Sequence, residues 1–134
     1  MIDRAALRDA IIDALKATPA FDSYWIDKFS DDADAWKEKY LQAESGSMIV
    51  SYAGTTRQAG FEATPGRASA IHVVLFERSE DAGLAALKAA EQALHGLRLT
   101  IDGEALRCIF TRDNFVGEID LYYQYEMQIR CELL

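Results

Sequence analysis

The 134-residue chain carries 14 Lys and Arg residues against 22 Asp and Glu residues, a net charge of −8 at pH 7. Half of its residues are hydrophobic and 27% are charged, which is typical of a folded domain and not of a disordered tail. Its basic residues are scattered, so the sequence predicts no sequence-specific nucleic-acid binding. It also predicts no membrane helix, because no run of about 18 uncharged apolar residues occurs.

The beginning of the chain predicts an amphipathic helix over residues 3–17. Leu7, Ile11 and other apolar residues recur at helical spacing. Asp3 is a candidate N-cap, and Pro19 ends the helix because proline disfavours helical geometry at the residue before it. This helix needs an apolar partner surface from later in the chain.

The next segment is harder to interpret. Aromatic residues cluster without a clear period over residues 21–29, and residues 30–32 could cap a second, peripheral helix that contains Trp36. Residues 27–38 have the length of a calcium-binding loop. They lack its pattern, since Phe29 occupies the third position and an aspartate occupies the glycine position.

Two strands are predicted in the middle of the chain. Residues 47–54 alternate between apolar and polar side chains, which indicates a strand with one buried face. Residues 71–76 are apolar on both faces, which predicts a central strand covered on both sides, and His72 is interpreted as a strand-end histidine. The long connection over residues 55–67 is expected to be functional or mobile.

A second clear helix follows, over residues 81–94. Ser79 is a candidate cap, and Gly96 stands just past the end, where a left-handed residue is favoured. Strands at residues 97–101 and 106–110 then flank the tight turn Asp102-Gly103.

The chain closes with a turn region and a long strand. Residues 112–117 are predicted to form the turn, and residues 122–133 alternate strictly between apolar and polar side chains. Together the patterns predict a single α+β domain over residues 1–134. It would contain a mainly antiparallel sheet of four to five strands, the N-terminal helix and a second helix packed on the sheet.

No pattern of residues points to catalysis. Nucleophile elbows, phosphate-binding loops and paired-cysteine metal motifs are missing from the sequence, so it predicts no enzyme, no cofactor and no metal site. Cys108 and Cys131 fall on apolar strand faces and are interpreted as buried thiols, not as a disulfide or metal ligands.

Several segments in this order resemble a known family. They are Ile49-Val50-Ser51-Tyr52-Ala53-Gly54, residues 71–76, Ala93-Leu94-His95-Gly96-Leu97-Arg98-Leu99, residues 106–112 and Tyr123-Gln124-Tyr125-Glu126. In order and spacing they are similar to the small tail protein family of Mu-like bacteriophages and prophages, which is itself similar to phage tail terminators.

The resemblance implies a structural role. Such proteins form a ring, typically a hexamer, that caps the tail tube and helps join the tail to the head. The implied partners are other copies of the chain, the tail tube protein and head-tail connector proteins. The implied location is the host cytoplasm during assembly and then the neck end of the virion tail. The candidate interface residues are Thr55, Arg57, Phe61, Arg67, Gln124, Glu126, Arg130 and Glu132.

One alternative remains open from the sequence. A small oligomeric ligand-binding module with a ferredoxin-like sheet and no catalytic activity would have similar strand and helix content. In that case the polar face of the last strand would belong to a pocket or a dimer interface.

Overall fold

A computed structural model of the chain describes residues 2–30, 45–57, 67–119 and 122–134. These residues form two α-helices, a short 3-10 helix at Pro19–Phe21 and one six-stranded sheet. The elements are α1 (Arg4–Lys16), β1 (Trp25–Lys28), β2 (Ser47–Arg57), β3 (Arg67–Glu77), α2 (Glu80–Leu94), β4 (Arg98–Ile101), β5 (Glu104–Ile119) and β6 (Tyr122–Leu133). Neither α-helix combines the length and hydrophobicity needed to cross a membrane.

The α+β class is confirmed, but the predicted sheet is wrong in strand number and type. The strand order is β1-β2-β3-β6-β5-β4, and the sheet curls into half of a barrel. β1 pairs in parallel with β2, whereas every other neighbouring pair is antiparallel. The extra strand is β1, whose four residues are too few to produce a recognisable period. The sheet is also not ferredoxin-like, because that fold places a helix before its last strand. Here β4, β5 and β6 are consecutive in the chain, adjacent in the sheet and have no helix between them.

Both predicted α-helices are confirmed within one residue at each end. The side chain of Asp3 accepts hydrogen bonds from the amides of Ala5 and Ala6, and Ser79 accepts one from the amide of Ala82. Gly96 has a φ of 83°, the left-handed conformation predicted after the end of α2. The cap chemistry in the sequence therefore determined where these helices begin and end.

The two helices contribute to a single hydrophobic core on one face of the sheet, which we call the inner face. The central strands contribute alternate residues to this core, and the opposite face of the sheet is called the outer face. The fully buried core side chains include Leu7, Ile11, Leu15, Met48, Val50, Ile71, Val73, Leu75, Leu94, Leu106, Met127 and Ile129.

β3 is a central strand, as predicted, but its two faces differ. Ile71, Val73 and Leu75 are fully buried on the inner face. Val74 lies on the outer face, where it is only half-buried beside the small cluster of Ile49 and Phe76. β3 is covered on both sides, as predicted, but unequally, because both described helices pack on the inner face, whereas the outer face has the small buried cluster of Ile49 and Phe76.

β6 confirms the predicted alternation. Tyr125, Met127, Ile129 and Cys131 are buried on the inner face, and the polar residues between them face outward. Cys131 lies directly opposite Cys108 of β5, with 3.5 Å between the two sulfur atoms, and both are free, buried thiols as predicted. The hydrogen bond with Cys108, together with burial, raises the pKa of the Cys131 thiol.

β5 departs from the prediction. The Asp102-Gly103 turn is confirmed, with positive φ angles of 52° and 77°. However, residues 112–117 do not form a turn, because β5 continues as a strand paired with β6 as far as Ile119. Two β-bulges interrupt this pairing, one between Phe110 and Arg112 and one between Phe115 and Gly117.

Two sequence predictions fall wholly or partly outside the described residues. The helix predicted after residues 30–32 is one, together with most of the rejected calcium loop. The connection predicted over residues 55–67 is shorter than expected, since β2 extends to Arg57 and β3 begins at Arg67. The part between these strands lies outside the described residues.

Candidate interaction surface

The predicted polar row lies on the outer face of β6. Gln124, Glu126, Arg130 and Glu132 share this face, and no described helix packs against it. A carboxylate oxygen of Glu132 lies 3.0 Å from the guanidinium of Arg130, and its other oxygen lies 3.9 Å from that of Arg107. These pairs are partly exposed, so each contributes little to stability. Their charges are therefore available to a partner surface.

The other candidate interface residues come from the segment predicted as a connection, residues 55–67. Thr55 lies opposite Ser69, which lies opposite Cys131, so Thr55 belongs to the inner face. Its hydroxyl group is hydrogen-bonded to that of Tyr52. Arg57 and Arg67 pair with each other at the end of the β2–β3 ladder. Phe61 lies outside the described residues. Thr55 and the polar row of β6 therefore lie on opposite faces of the sheet.

A second surface, which was not predicted from the sequence, lies at the end of the β5–β6 hairpin. We call residues 111–119 of β5 the hairpin arm. Phe115, Val116 and Ile119 are 58%, 45% and 50% exposed. Phe115 lies on the inner face, Ile119 lies on the outer face opposite Tyr122, and Val116 is the unpaired residue of a bulge. Exposed apolar side chains grouped at one end of a hairpin indicate an interaction site. The available signal was the aromatic and β-branched pair at positions 115 and 116, within a segment otherwise typical of a turn.

On the inner face of the arm, Phe115 packs against two tyrosine side chains. The Phe115 ring lies 5.4 Å from the ring of Tyr125 and 6.3 Å from that of Tyr123, measured between centroids. Tyr125 also contacts Gly83 of α2, where an added Cβ atom would lie 2.4 Å from the tyrosine ring. The arm is therefore packed, through Tyr125, onto the beginning of α2.

The edge of β5 that points away from β6 is paired over only part of its length. β4 pairs with residues 104–107, and Leu97 accepts a hydrogen bond from the amide of Cys108. His95 Nδ1 then accepts one from the amide of Phe110 at 3.1 Å. Beyond Phe110, no described strand pairs with this edge. Such an edge is a template for pairing with another chain.

An open cavity of about 380 Å³ lies between the 3-10 helix, the end of β3 and the first turns of α2. Phe21, Tyr24 and Glu77 line it, and the Tyr24 hydroxyl donates a hydrogen bond to the Glu77 carboxylate. Burial, this hydrogen bond and the charge of Glu77 raise the pKa of Tyr24 above its ordinary value. Within the described ranges, no group of three or more His, Cys, Asp or Glu residues could hold a metal ion.

The Tyr24–Glu77 contact predicts a dependence of stability on alkaline pH. The folded chain keeps the Tyr24 proton at pH values where the unfolded chain loses it, so the contribution of Tyr24 is present below about pH 10 and declines above it. Urea unfolding from about pH 9 to 11 should show a smaller loss of stability in Tyr24→Phe than in the original chain. Since every other tyrosine is retained, equal losses in the two proteins would contradict the effect.

No protein-family model and no curated protein sequence matches the chain. Solved structures do match it. A chain of the virion of a native gene transfer agent particle has a TM-score of 0.65 and 14% sequence identity, and the match covers 95% of this chain and 93% of that one. This chain and that virion chain share a fold.

A second solved chain gives a weaker match. Its TM-score is 0.51 at 14% identity, over 98% of this chain and 92% of that chain. At such identity the likeness concerns fold alone. The high coverage on both sides means that the shared fold includes nearly all of each chain, not one common motif.

Proposed function

We propose that this chain is a structural component of a phage or phage-like virion, where it caps the tail tube as an oligomeric ring and helps join the tail to the head. The observation that carries the proposal is the fold shared with the gene transfer agent virion chain, at a TM-score of 0.65 over 95% of this chain. The family resemblance of the sequence supplies the tail-terminating role.

The surfaces of the molecule support assembly rather than catalysis. The hairpin arm exposes apolar side chains, and beyond Phe110 no described strand pairs with the edge of β5 that points away from β6. The outer face carries charged side chains that are partly or fully exposed, including Glu126 and Arg130. A protein that acts through contacts needs such surfaces, and the proposed activity involves no covalent step.

The charge of the chain suits a position around a DNA conduit. Each copy carries a net charge of −8, so a ring of several copies is strongly acidic. A lumen lined with negative charge repels DNA and reduces non-specific adhesion during passage. The proposed partners are other copies of the chain, the tail tube protein and head-tail connector proteins. The proposed location is the host cytoplasm during assembly and then the neck end of the tail.

The proposal predicts a specific defect when the gene is removed from the particle that encodes it. Without a cap, tail tubes should polymerise beyond their normal length, or finished tails should fail to join heads. Electron microscopy of induced lysates measures tube length and the fraction of heads with tails. Expression of the original chain in trans should restore both.

The same assay separates the proposal from a general loss of viability. Glu126→Lys and Arg130→Glu change the outer face without altering buried residues, so they should weaken capping or joining while the chain stays folded. Tails of normal, uniform length joined to heads in the deletion would show that the chain does not terminate tails.

A further inference from the structure

The strands of the sheet align residues in rows that run from one edge to the other. Two rows of directly opposed residues begin in β1, cross β2, β3 and β6, and end in the hairpin arm of β5. They are Ile26, Met48, Leu75, Tyr125 and Phe115, and Lys28, Val50, Val73, Met127 and Asp113.

The ends of these rows lie at two different edges of the sheet. β1 forms one edge of the described sheet, and the arm leaves the other edge open beyond Phe110. β1 runs in the same direction as β2 and β6, whereas β5 runs in the opposite direction. If a second copy continued the sheet beyond β5, its β1 would therefore lie antiparallel to the arm.

We infer that β1 of one copy pairs antiparallel with the hairpin arm of a second copy, with Lys28 opposite Asp113 and Ile26 opposite Phe115. This inference rests on the proposed function, because it specifies how the subunits of the proposed ring contact one another. The register follows from continuing both rows into the next copy without a shift along the strands.

The side chains brought together in this register are complementary. Lys28 and Asp113 are both exposed, have opposite charges and lie on the inner side of their strands. Phe115 is 58% exposed and would be covered by the second copy at the edge of its core, beside Ile26, which is already buried in its own copy. The apolar gain therefore comes from the Phe115 ring. Opposite charges and apolar pairs directly across two strands stabilise a sheet. The backbone groups of the open edge gain partners in the same step.

The pairing also has the symmetry that a ring requires. The two surfaces are different parts of one chain, so each copy gives β1 to one neighbour and its arm to the other. Head-to-tail contacts of this kind generate closed rings when the rotation between copies closes. The net charge of −8 on each copy opposes association, so the contact should be weak in dilute solution and stronger on a tube end.

A charge exchange tests the register. Lys28→Glu and Asp113→Lys should each weaken self-association about fivefold or more, because each places like charges opposite each other. The double variant restores opposite charges and should recover to within about twofold of the original chain. Lys88→Glu makes the same charge change on an exposed position of α2 and should have no effect. Analytical ultracentrifugation over a concentration series, and counting of capped ends on purified tail tubes, measure the association.

Cross-linking tests the same contact by distance. A chain with both Lys28→Cys and Asp113→Cys should form a ladder of disulfide-linked oligomers when oxidised glutathione is added. Lys88→Cys combined with Asp113→Cys should form none. The native cysteines do not interfere, since Cys108 and Cys131 are buried. Phe115→Ala should weaken association roughly tenfold or more, because it removes the largest apolar side chain of the contact.

The outcomes separate this inference from the proposed function. Assembly unaffected by either single charge change, a double variant no better than the single ones, or no cross-linked ladder would overturn the pairing while the ring proposal stands. Normal tails in the gene deletion would overturn the proposed function whatever the variants show. Recovery in the double variant together with a specific ladder would establish the pairing.

Discussion

Replacement of Leu75 by asparagine is expected to destabilise the protein by about 4 kcal/mol or more, or to prevent folding. Leu75 is fully buried in the middle of β3, beneath the helices of the inner face. The change removes apolar burial and leaves an amide group without hydrogen-bond partners in the core. Urea unfolding followed by circular dichroism measures the loss, and the yield of soluble protein reports failure to fold.

The neighbouring residue provides the matched control. Val74→Asn places the same amide one position along the strand, but on the outer face, where the valine is only half-buried. Its cost should stay below about 1.5 kcal/mol, since the amide keeps access to water. Equal destabilisation by the two variants would mean that β3 is buried equally on both faces, as its sequence alone suggests.

Replacement of Gly83 by alanine should also destabilise the protein, by about 1–3 kcal/mol. Alanine normally stabilises a helix relative to glycine by up to about 1 kcal/mol, so the expected sign is the reverse of the usual one. The reason is the Tyr125 ring, which lies 2.4 Å from the position of the added Cβ atom. Tyr125 is buried and contacts Phe115 on its other side, which limits the movement of the ring.

A double-mutant cycle tests this cause. In a Tyr125→Leu background the ring is absent, so Gly83→Ala should become neutral or stabilising. Chemical denaturation of the four proteins gives the coupling free energy between the two positions. Destabilisation of the same size in both backgrounds would mean that the contact with the ring does not explain the requirement for glycine.

Local signals in the sequence were sufficient for the elements with one buried face. Asp3 and Ser79 marked the beginnings of both helices, and Asp102-Gly103 marked the hairpin turn. The strict alternation of β6 predicted its buried and polar faces correctly because each face has a uniform environment. In these elements the same residues satisfy both the local propensity and the packing of the core.

The sequence did not predict β1 or the hairpin arm, and the physical reasons differ. β1 has four residues and pairs in parallel with β2, so neither its length nor a hairpin turn reveals it. The arm is exposed on both faces, so it lacks the alternation that burial imposes. Its Arg112-Asp113-Asn114 segment has the composition of a turn, and pairing with β6 overrides that preference.

The faces on which the candidate interface residues lie were predictable only in part, for the same reason. The polar row of β6 could be identified because alternation assigns residues to faces. Thr55 was predicted to lie in a connection, whereas it belongs to β2, and the register shift between Tyr52 and Gly54 determines its face. A bulge changes which face every later residue occupies, and no sequence period reveals it.

The bulge after Phe110 also determines which charge the hairpin arm presents in the contact we infer. The extra residue there places Asp113 and Phe115 on the inner face, level with Lys28 and Ile26 at the opposite edge. Without it, Arg112 would lie opposite Met127 and level with Lys28, because directly opposed residues of neighbouring strands share a face. Two positive charges would then meet at every contact between copies. One inserted residue thus decides whether the edges of two copies attract or repel each other.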